Sequence, residues 1–293
     1  MFTNPFSAEK RRAARRERAE IAHRRAQERG ETSTVRLPNE GLSTQKILSA
    51  TIGKIRALAP EITGDYLDVG SGNGELIDRV VREFPVAPQA CDYRDDLMTI
   101  GGLRVDVVNL NTGGLPYPDN SFNLVTCTEV IEHLEHFRAT IREIYRVLRP
   151  GGVVVLSTPN VLNLRSRVRY LFFGFFNMFG PLRLDDDRHH STHGHINPVA
   201  YFYLAHALSA AGFNQISVSV DKYQRGSIVS LSLLYLPIRV SSAWCLRRER
   251  AKYCTLDRRN EPFVRALNRV DLLLGRTIVT GCRKPSRLVG PQG

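Results

Sequence analysis

Apolar positions in the middle of this chain change period in a regular order. Tyr66, Leu67 and Val69 make a short apolar run that breaks at Gly70, Gly72 and Gly74, and Leu76, Ile77, Val80, Val81 and Phe84 then recur at helical spacing. That order predicts strand, glycine turn, helix. Ala90-Cys91-Asp92-Tyr93 reads as the end of a further strand. Ile141, Ile144, Tyr145 and Leu148 mark a helix that stops at Arg149-Pro150-Gly151-Gly152, and 153–160 reads as a buried strand. Tyr201, Leu204, Ala205 and Leu208 share a helix face closed by Gly212, with Asn197 expected as N-cap and Pro198 as first helical residue. Two more strands are expected at 216–220 and 277–282. Strands alternating with helices predict an α/β fold.

The glycine turn carries the first chemical signal. Glycines bend the backbone sharply and admit a ligand where a Cβ would collide. The helix N-terminus behind them offers unpaired N–H groups. Asp92 lies about twenty residues further on, where an acid can accept both hydroxyls of a ribose. A nucleotide-like ligand is therefore expected at Asp68-Val69-Gly70-Ser71-Gly72-Asn73-Gly74. The spacing is Asp-x-Gly-x-Gly-x-Gly, which departs from the dinucleotide fingerprint Gly-x-Gly-x-x-Gly.

That spacing resembles the first motif of the class I S-adenosylmethionine-dependent methyltransferases, and later segments repeat the resemblance in order. Leu115-Pro116-Tyr117-Pro118-Asp119-Asn120-Ser121-Phe122-Asn123 looks like the segment that leads into the family's fourth strand. Thr128-Glu129-Val130-Ile131-Glu132-His133-Leu134 follows, and Leu148-Arg149-Pro150-Gly151-Gly152 is another family signature. The resemblance covers roughly 61–160. It implies a Rossmann-like, doubly wound, seven-stranded sheet with helices on both faces and an antiparallel seventh strand. It also implies S-adenosylmethionine held by Asp68, Gly70, Ser71, Gly72, Gly74, Asp92, Tyr93, Asn109, Leu110 and Glu129. There are two departures. Asn109-Leu110-Asn111 stands where family members often place an adenine-binding Asp, so the Asn109 carbonyl is expected to accept that hydrogen bond, with Asp106 as the alternative. Asn123 replaces the usual Asp after Phe122, in a structural role.

Size and composition narrow the class. The 293 residues suit one elaborated α/β domain, and 42% hydrophobic residues supply its core. The expected division is a basic tail over 1–38, a methyltransferase domain over 39–284 with a lid insertion at 161–196 and a second insertion at 224–274, and a frayed end at 285–293. No apolar run is read as long enough to span a bilayer, and the first residues lack the apolar core of a secretory signal. Five scattered cysteines without paired spacing suggest reduced thiols and a cytoplasmic protein.

The net charge of +12 is partly segmental. Residues 9–29 are mostly Arg and Glu with Ile21 as the only large aliphatic, which suits either a solvated, partly helical tail or contact with anionic lipid or nucleic acid. Interspersed acids disfavour a mitochondrial address. A second basic stretch, with Arg165, Arg167 and Arg169, joins the aromatic run Tyr170, Phe172, Phe173, Phe175, Phe176 and Phe179. It suits a helix packed on the sheet, an interfacial segment or a lid over an acceptor pocket. The apolar run 228–238, followed by Trp244 and Arg247-Arg248, is read as too short to span, and as lining the acceptor pocket or touching a membrane surface.

Two clusters offer help with methyl transfer. Glu129, Glu132 and His133 stand at i, i+3 and i+4, so one helical turn would aim all three at one point. Residues 189–195 hold four of the eight histidines. Two carboxylates with histidines make a mixed site for a divalent ion. Glu-x-x-Glu-His with a later His resembles metal-dependent methyltransferases of small-RNA 3′ ends and the methyltransferases of ubiquinone biosynthesis. That likeness implies Mg²⁺ or Zn²⁺ on Glu129, Glu132, His133 and His195 (or His193). A metal-free general base at His133 or His195 is the other reading, and a plain solvated loop is the third. The expected activity is O-methylation of a small-molecule, glycan or lipid-linked acceptor, at the inner face of the membrane if peripheral. RNA methylation and a non-catalytic scaffold are the alternatives. Nothing in the sequence speaks to oligomeric state.

Overall fold

The computed structural model describes residues 43–182 and 194–286, all within one compact unit. The expectations for the basic tail, for His189, His190 and His193, and for most of the frayed end fall outside those residues. Seven strands are present: β1 (Gly64–Val69), β2 (Val86–Asp92), β3 (Val105–Val107), β4 (Phe122–Thr128), β5 (Leu148–Pro159), β6 (Asn214–Val220) and β7 (Thr277–Arg283). They form one sheet ordered β3-β2-β1-β4-β5-β7-β6. All pairings are parallel except those of β7, which runs antiparallel to both β5 and β6. The fold is the Rossmann-like α/β sheet expected, with β7 reversed. The strand order turns between β1 and β4, and open α/β sheets bind ligands at such a crevice, outside the carboxyl ends of the strands.

Side chains alternate across the sheet and fill two apolar layers. Tyr66, Leu124, Val153 and Val155 pack under α1 (Gln45–Leu58) and α2 (Glu75–Glu83). Leu67, Val125, Val154 and Leu156 pack under α3 (Phe137–Val147) and, further along the same layer, residues of the helix Tyr201–Ala211. Helix α4 spans Leu164–Phe173 and α5 spans Tyr201–Ala211. The helix α1 was legible but not predicted: Ile47, Leu48, Thr51, Ile52 and Ile55 are its buried face, at helical spacing. In α2 the predicted apolar positions are buried, apart from the more exposed Val81.

Three local expectations are corrected. α5 begins at Tyr201 after Ala200, and Asn197 is no cap: its Nδ2 donates to the Leu134 carbonyl at 3.0 Å and its N–H to the Glu132 carbonyl at 2.9 Å. Asn197 thus ties the 194–200 segment to the turn after β4. Arg149-Pro150-Gly151-Gly152 lies inside β5, after α3 has ended at Val147. The third correction concerns length. The segment 224–274 holds α6 (Ser227–Arg248), which continues through a π-turn at Glu249–Tyr253, then α7 (Glu261–Ala266) and α8 (Val270–Leu274). Among the described residues, Ser227–Tyr253 is one continuous helix of 27 residues, long and apolar enough to cross a membrane by length and composition. Its serines, Pro237 and Arg239 break the apolar run in the sequence but not the helix.

The asparagines around the fifth strand turn out to be fasteners. Asn160 Nδ2 donates to the carbonyls of Leu272 and Gly275, and Asn163 caps α4 by accepting from the Ser166 N–H. Asn123 Oδ1 accepts from the Asp65 N–H and from Arg149, the structural role expected of it. All five cysteines are free thiols, three of them buried.

Lys284 closes the sheet from below, a role with no signal in the sequence. Its buried Nζ donates to Asn120 Oδ1 and to the carbonyls of Tyr145 and Leu148, at 2.7 to 2.9 Å. Lys284→Met keeps the length of the stem and orphans those carbonyls. It is expected to lower unfolding free energy by about 2–4 kcal/mol, read by urea denaturation.

Candidate active site

The turn between β1 and α2 is shaped by its glycines. Gly70, Gly72 and Gly74 all sit at positive φ (78°, 51° and 82°), a conformation that L side chains resist. Gly70 and Ser71 donate their N–H groups to the Cys91 carbonyl at the end of β2. Gly72 donates to Asp92 Oδ2 at 2.8 Å, so the predicted ribose acceptor also fixes the loop. Beneath the loop, Thr126 Oγ1 donates to Asp68 Oδ1 at 2.5 Å and accepts from the Tyr66 hydroxyl at 2.7 Å. The Ser71 hydroxyl is buried and has no protein partner. A buried orphan donor inside a glycine cradle that is itself tied to the Asp92 carboxylate suits a polar nucleoside ligand.

The loop forms one wall of a cleft of about 1090 Å³, its open mouth included. Every residue expected to hold the cofactor lines this cleft except Gly74, which closes the loop behind it by donating to the Ser71 carbonyl. Asn109 lines it too, with its Oδ1 accepting from the Asn111 N–H in a tight turn, which leaves the carbonyl one further lone pair. Asp106 does not line it: its carboxylate accepts from the Tyr117 hydroxyl at 2.9 Å, which removes it as the alternative adenine acceptor. Leu97, Val108, Thr128 and Leu134 also line the cleft and were not predicted. Thr128 and Leu134 flank the Glu-His segment, which was the available signal. The Leu115-Pro116-Tyr117 segment is held in place by α3, where Arg146 donates to the carbonyls of Leu115 and Tyr117 and Glu143 accepts from the Leu115 N–H.

Glu129, Glu132 and His133 do not share one helical turn. Glu129 sits at φ +56° just past β4, where its N–H donates to Ser157 and its Oε1 accepts from the Ser157 hydroxyl. A 3-10 turn follows at Ile131–His133. Glu129 and His133 face the cleft, while Glu132 turns inward, fully buried, and accepts from Thr158 Oγ1 at 3.1 Å. Ser157, opposite Thr128 in the β4–β5 register, is a positioning residue the sequence reading missed.

His195 joins Glu132 and His133. One ligand atom from each of these three lies within 4.8 Å of the others, and Glu129 is outside the group. The His133 and His195 rings meet edge to face, with centroids 4.8 Å apart. His133 Nδ1 is 2.9 Å from the Gly194 carbonyl, which only accepts, so Nδ1 carries the proton and Nε2 keeps its lone pair. Glu132 Oε1 and His195 Nδ1 are buried without partners. Burial pushes the Glu132 and Glu129 carboxyls up and both imidazoles down, His195 to about 4. The donor set fits a divalent ion on Glu132, His133 and His195, with backbone carbonyls orienting the imidazoles from behind. The four-ligand set with Glu129 is corrected to these three.

Comparison with known proteins follows the same lines. A family model described as a methyltransferase domain matches residues 11–218. The chain belongs to that family, the class I S-adenosylmethionine-dependent methyltransferases. A "Probable S-adenosylmethionine-dependent methyltransferase" of Mycolicibacterium smegmatis is 38% identical over 101 residues, 33% of this chain and 38% of that protein. A demethylmenaquinone methyltransferase of Symbiobacterium thermophilum is 32% identical over 133 residues, 41% of this chain and 52% of that one. The chain thus spans about half or less of the length of these relatives. A crystal structure of an S-adenosylmethionine-dependent methyltransferase from Archaeoglobus fulgidus shares the fold at a TM-score of 0.50 and 19% identity, covering 81% of this chain and 94% of the other.

Asp68 gives the site a pH signature. Burial raises its carboxyl from 3.8 to about 7, against the opposing bond from Thr126. Between those values the folded protein holds a proton that the unfolded chain releases. The contribution of Asp68 to stability therefore falls as pH rises through that window and is level above it. Asp68→Asn removes this slope. Relative to the parent, the variant is expected to gain about 4 kcal/mol of unfolding free energy across the window, measured by denaturant titration at several pH values.

Proposed function

We propose that this protein transfers a methyl group from S-adenosylmethionine to a hydroxyl of a small-molecule or lipid-linked acceptor. The observation that carries the reading is the shared cleft, which Asp92, the glycine loop, Glu129 and His133 all line. Asp92 would take the ribose hydroxyls, the unpartnered Ser71 hydroxyl would hold the polar end, and Val108, Asn109 and Leu110 would enclose the base. The bound cofactor supplies the electrophile, a methyl on a sulfonium. The chain supplies alignment and a place for the proton.

His133 is suited to that second task because it faces the cleft, is neutral, and keeps Nε2 as the basic atom. As the acceptor oxygen bonds to the methyl carbon, the carbon–sulfur bond breaks and its electrons stay on sulfur. The hydroxyl proton passes to Nε2. Glu132 and His195 stand behind His133; were a divalent ion held on the three, Nε2 would be its ligand and no longer the base, and the ion would instead lower the pKa of a bound hydroxyl. Glu132 and His195 otherwise make a neutral, buried brace for the base. One relative's name, demethylmenaquinone methyltransferase, favours an apolar acceptor class, and other relatives named ubiquinone/menaquinone biosynthesis C-methyltransferase add carbon methylation as a second reading.

The test uses the full chain. Calorimetry should show S-adenosylmethionine binding, and label from the methyl group should then pass into one fraction of a cell extract divided into lipid, glycan and RNA. Label in the lipid fraction is the expected result. Label only in RNA overturns the acceptor class, and absence of cofactor binding overturns the activity.

A further inference from the structure

The apolar surface outside the cleft is concentrated on two touching helices, α4 and α6. On α6, Val229, Leu233, Leu236, Val240 and Trp244 recur at spacings of four, three, four and four, which is one helical face, and all five are exposed. Leu233 and Leu236 are 72% and 71% exposed, and on α4 Leu171 and Phe172 reach 76% and 82%. The opposite side of α6, with Leu231, Leu234, Ile238 and Ser242, is half-buried, and Asn268 donates to the Ser242 hydroxyl at 2.6 Å. The helix is therefore apolar on both sides but covered on one. A bare apolar face of this length on a folded domain marks an interaction surface.

Charge identifies the partner. Between residues 225 and 253 there are six bases and one acid. Arg247, Arg248, Arg250 and Lys252 gather at the end of the helix, where the Arg248 guanidinium lies over Trp244 (4.6 Å) and Tyr253 (5.6 Å). Trp and Tyr beside Arg and Lys, at the border of an aliphatic face, is the composition of a membrane interface with anionic headgroups. Topology then decides between crossing and lying flat. Before α6, Gln224 donates to the Leu274 carbonyl and Tyr223 bridges Gly275, so the start of the helix sits beside the end of its return path. After Tyr253 the chain must reach Phe263, packed against Tyr201, by way of Asp257, Arg258, Arg259 and Glu261. A crossing would drag those charges through hydrocarbon. A helix tethered at both ends in this way would lie in the plane of an interface and not across it.

We propose that α4 and α6 form a docking face for an anionic lipid bilayer. The aliphatic face of α6 and Phe172 enter the acyl boundary, while Arg247, Arg248 and Lys252 meet lipid phosphates. The same face leads to the candidate catalytic cluster: Arg169 of α4 donates to the Phe179 carbonyl, and the Phe179 ring is 5.2 Å from His195. These contacts connect α4 to the back of the candidate catalytic cluster, so an acceptor held at the bilayer would lie near it. That last step rests on the proposed methyl transfer, whereas the lipid contact does not.

Trp244 is the only tryptophan in the chain, so its emission reports this face alone. The full-length protein, without cofactor or acceptor, is mixed with phosphatidylcholine vesicles containing phosphatidylglycerol, with plain or brominated acyl chains. The expected result is a blue shift on vesicle addition and quenching by the brominated chains. The Leu233→Glu/Leu236→Glu variant, altered only at exposed positions, is expected to melt like the parent and to bind vesicles at least tenfold more weakly, about 1.4 kcal/mol or more. Vesicle binding without quenching would assign lipid contact to the basic segment at 9–29 and overturn the proposal. So would a blue shift that grows with protein concentration in the absence of lipid, which would make the occupant a second copy of the chain.

Discussion

Gly70→Ala is expected to abolish S-adenosylmethionine binding and to destabilise the domain together, through two separable causes. The first is backbone conformation: φ at Gly70 is +78°, and an L residue held there costs about 1–2 kcal/mol. The second is space, because a Cβ at this position would overlap Val130 Cγ2. Overpacking of that kind typically costs about 1–3 kcal/mol. The sum predicts a loss of about 2–5 kcal/mol in unfolding free energy. Gly70 and Val130 both line the cleft, so relieving the overlap shifts its lining, and cofactor affinity should drop by more than about 100-fold, roughly 2.7 kcal/mol. The companion Gly70→Ala/Val130→Ala separates the causes: it should recover the part due to overlap and keep the part due to φ. Calorimetry and urea denaturation read the two effects. Unchanged cofactor affinity in a folded Gly70→Ala protein would place the cofactor elsewhere.

Glu132→Gln should cut methyl transfer by about 10²–10⁴-fold while leaving cofactor affinity as it was. The substitution keeps the shape and an acceptor for Thr158 Oγ1. The 194–200 segment also stays in place, because Ile196 and Asn197 are held by the backbone carbonyl of Glu132 and not by its side chain. What changes is the carboxyl beside His133 and His195. Chelation divides the two roles open to it. If an ion sits on the three residues, exhaustive chelation inactivates the parent and Mg²⁺ or Zn²⁺ restores it. If Glu132 braces a metal-free base, chelation has no effect, and His133→Ala is the variant rescued by added imidazole. Full turnover in Glu132→Gln would remove this residue from both.

Local chemistry explains why the cofactor half of the site was legible. Gly70, Gly72 and Gly74 are needed for a turn only glycine makes easily, and Asp92 follows at a distance fixed by one helix and one strand. Both are properties of a contiguous stretch, so spacing exposes them. Asn123 was likewise readable as structural, since it sits at a strand start where a side-chain oxygen can fasten the neighbouring strand. The acceptor half was legible only as an inventory. Glu129, Glu132 and His133 were assigned to one helical turn, yet the backbone leaves β4 at a positive φ and sends Glu129 to the cleft and Glu132 to the interior. His195 reaches that group across sixty-odd residues, through hydrogen bonds of the Glu132 carbonyl that no periodicity reports.

The same contrast holds for α6. Its composition was visible, but serines, Pro237 and Arg239 disguised its length, and only the packed structure shows which of its two apolar sides is bare. By itself the sequence determined the alternation of strands and helices through the central sheet, the glycine cradle and Asp92, because these depend on neighbours in the chain and on backbone sterics; the class of methyl donor followed from the resemblance of these and later motifs to a known family. Tertiary structure alone decided that His195 meets Glu132 and His133, that Lys284 closes the sheet, and that α6 stays on the surface. Those outcomes depend on which distant segments are brought together and which surface is left without a partner, and packing fixes both.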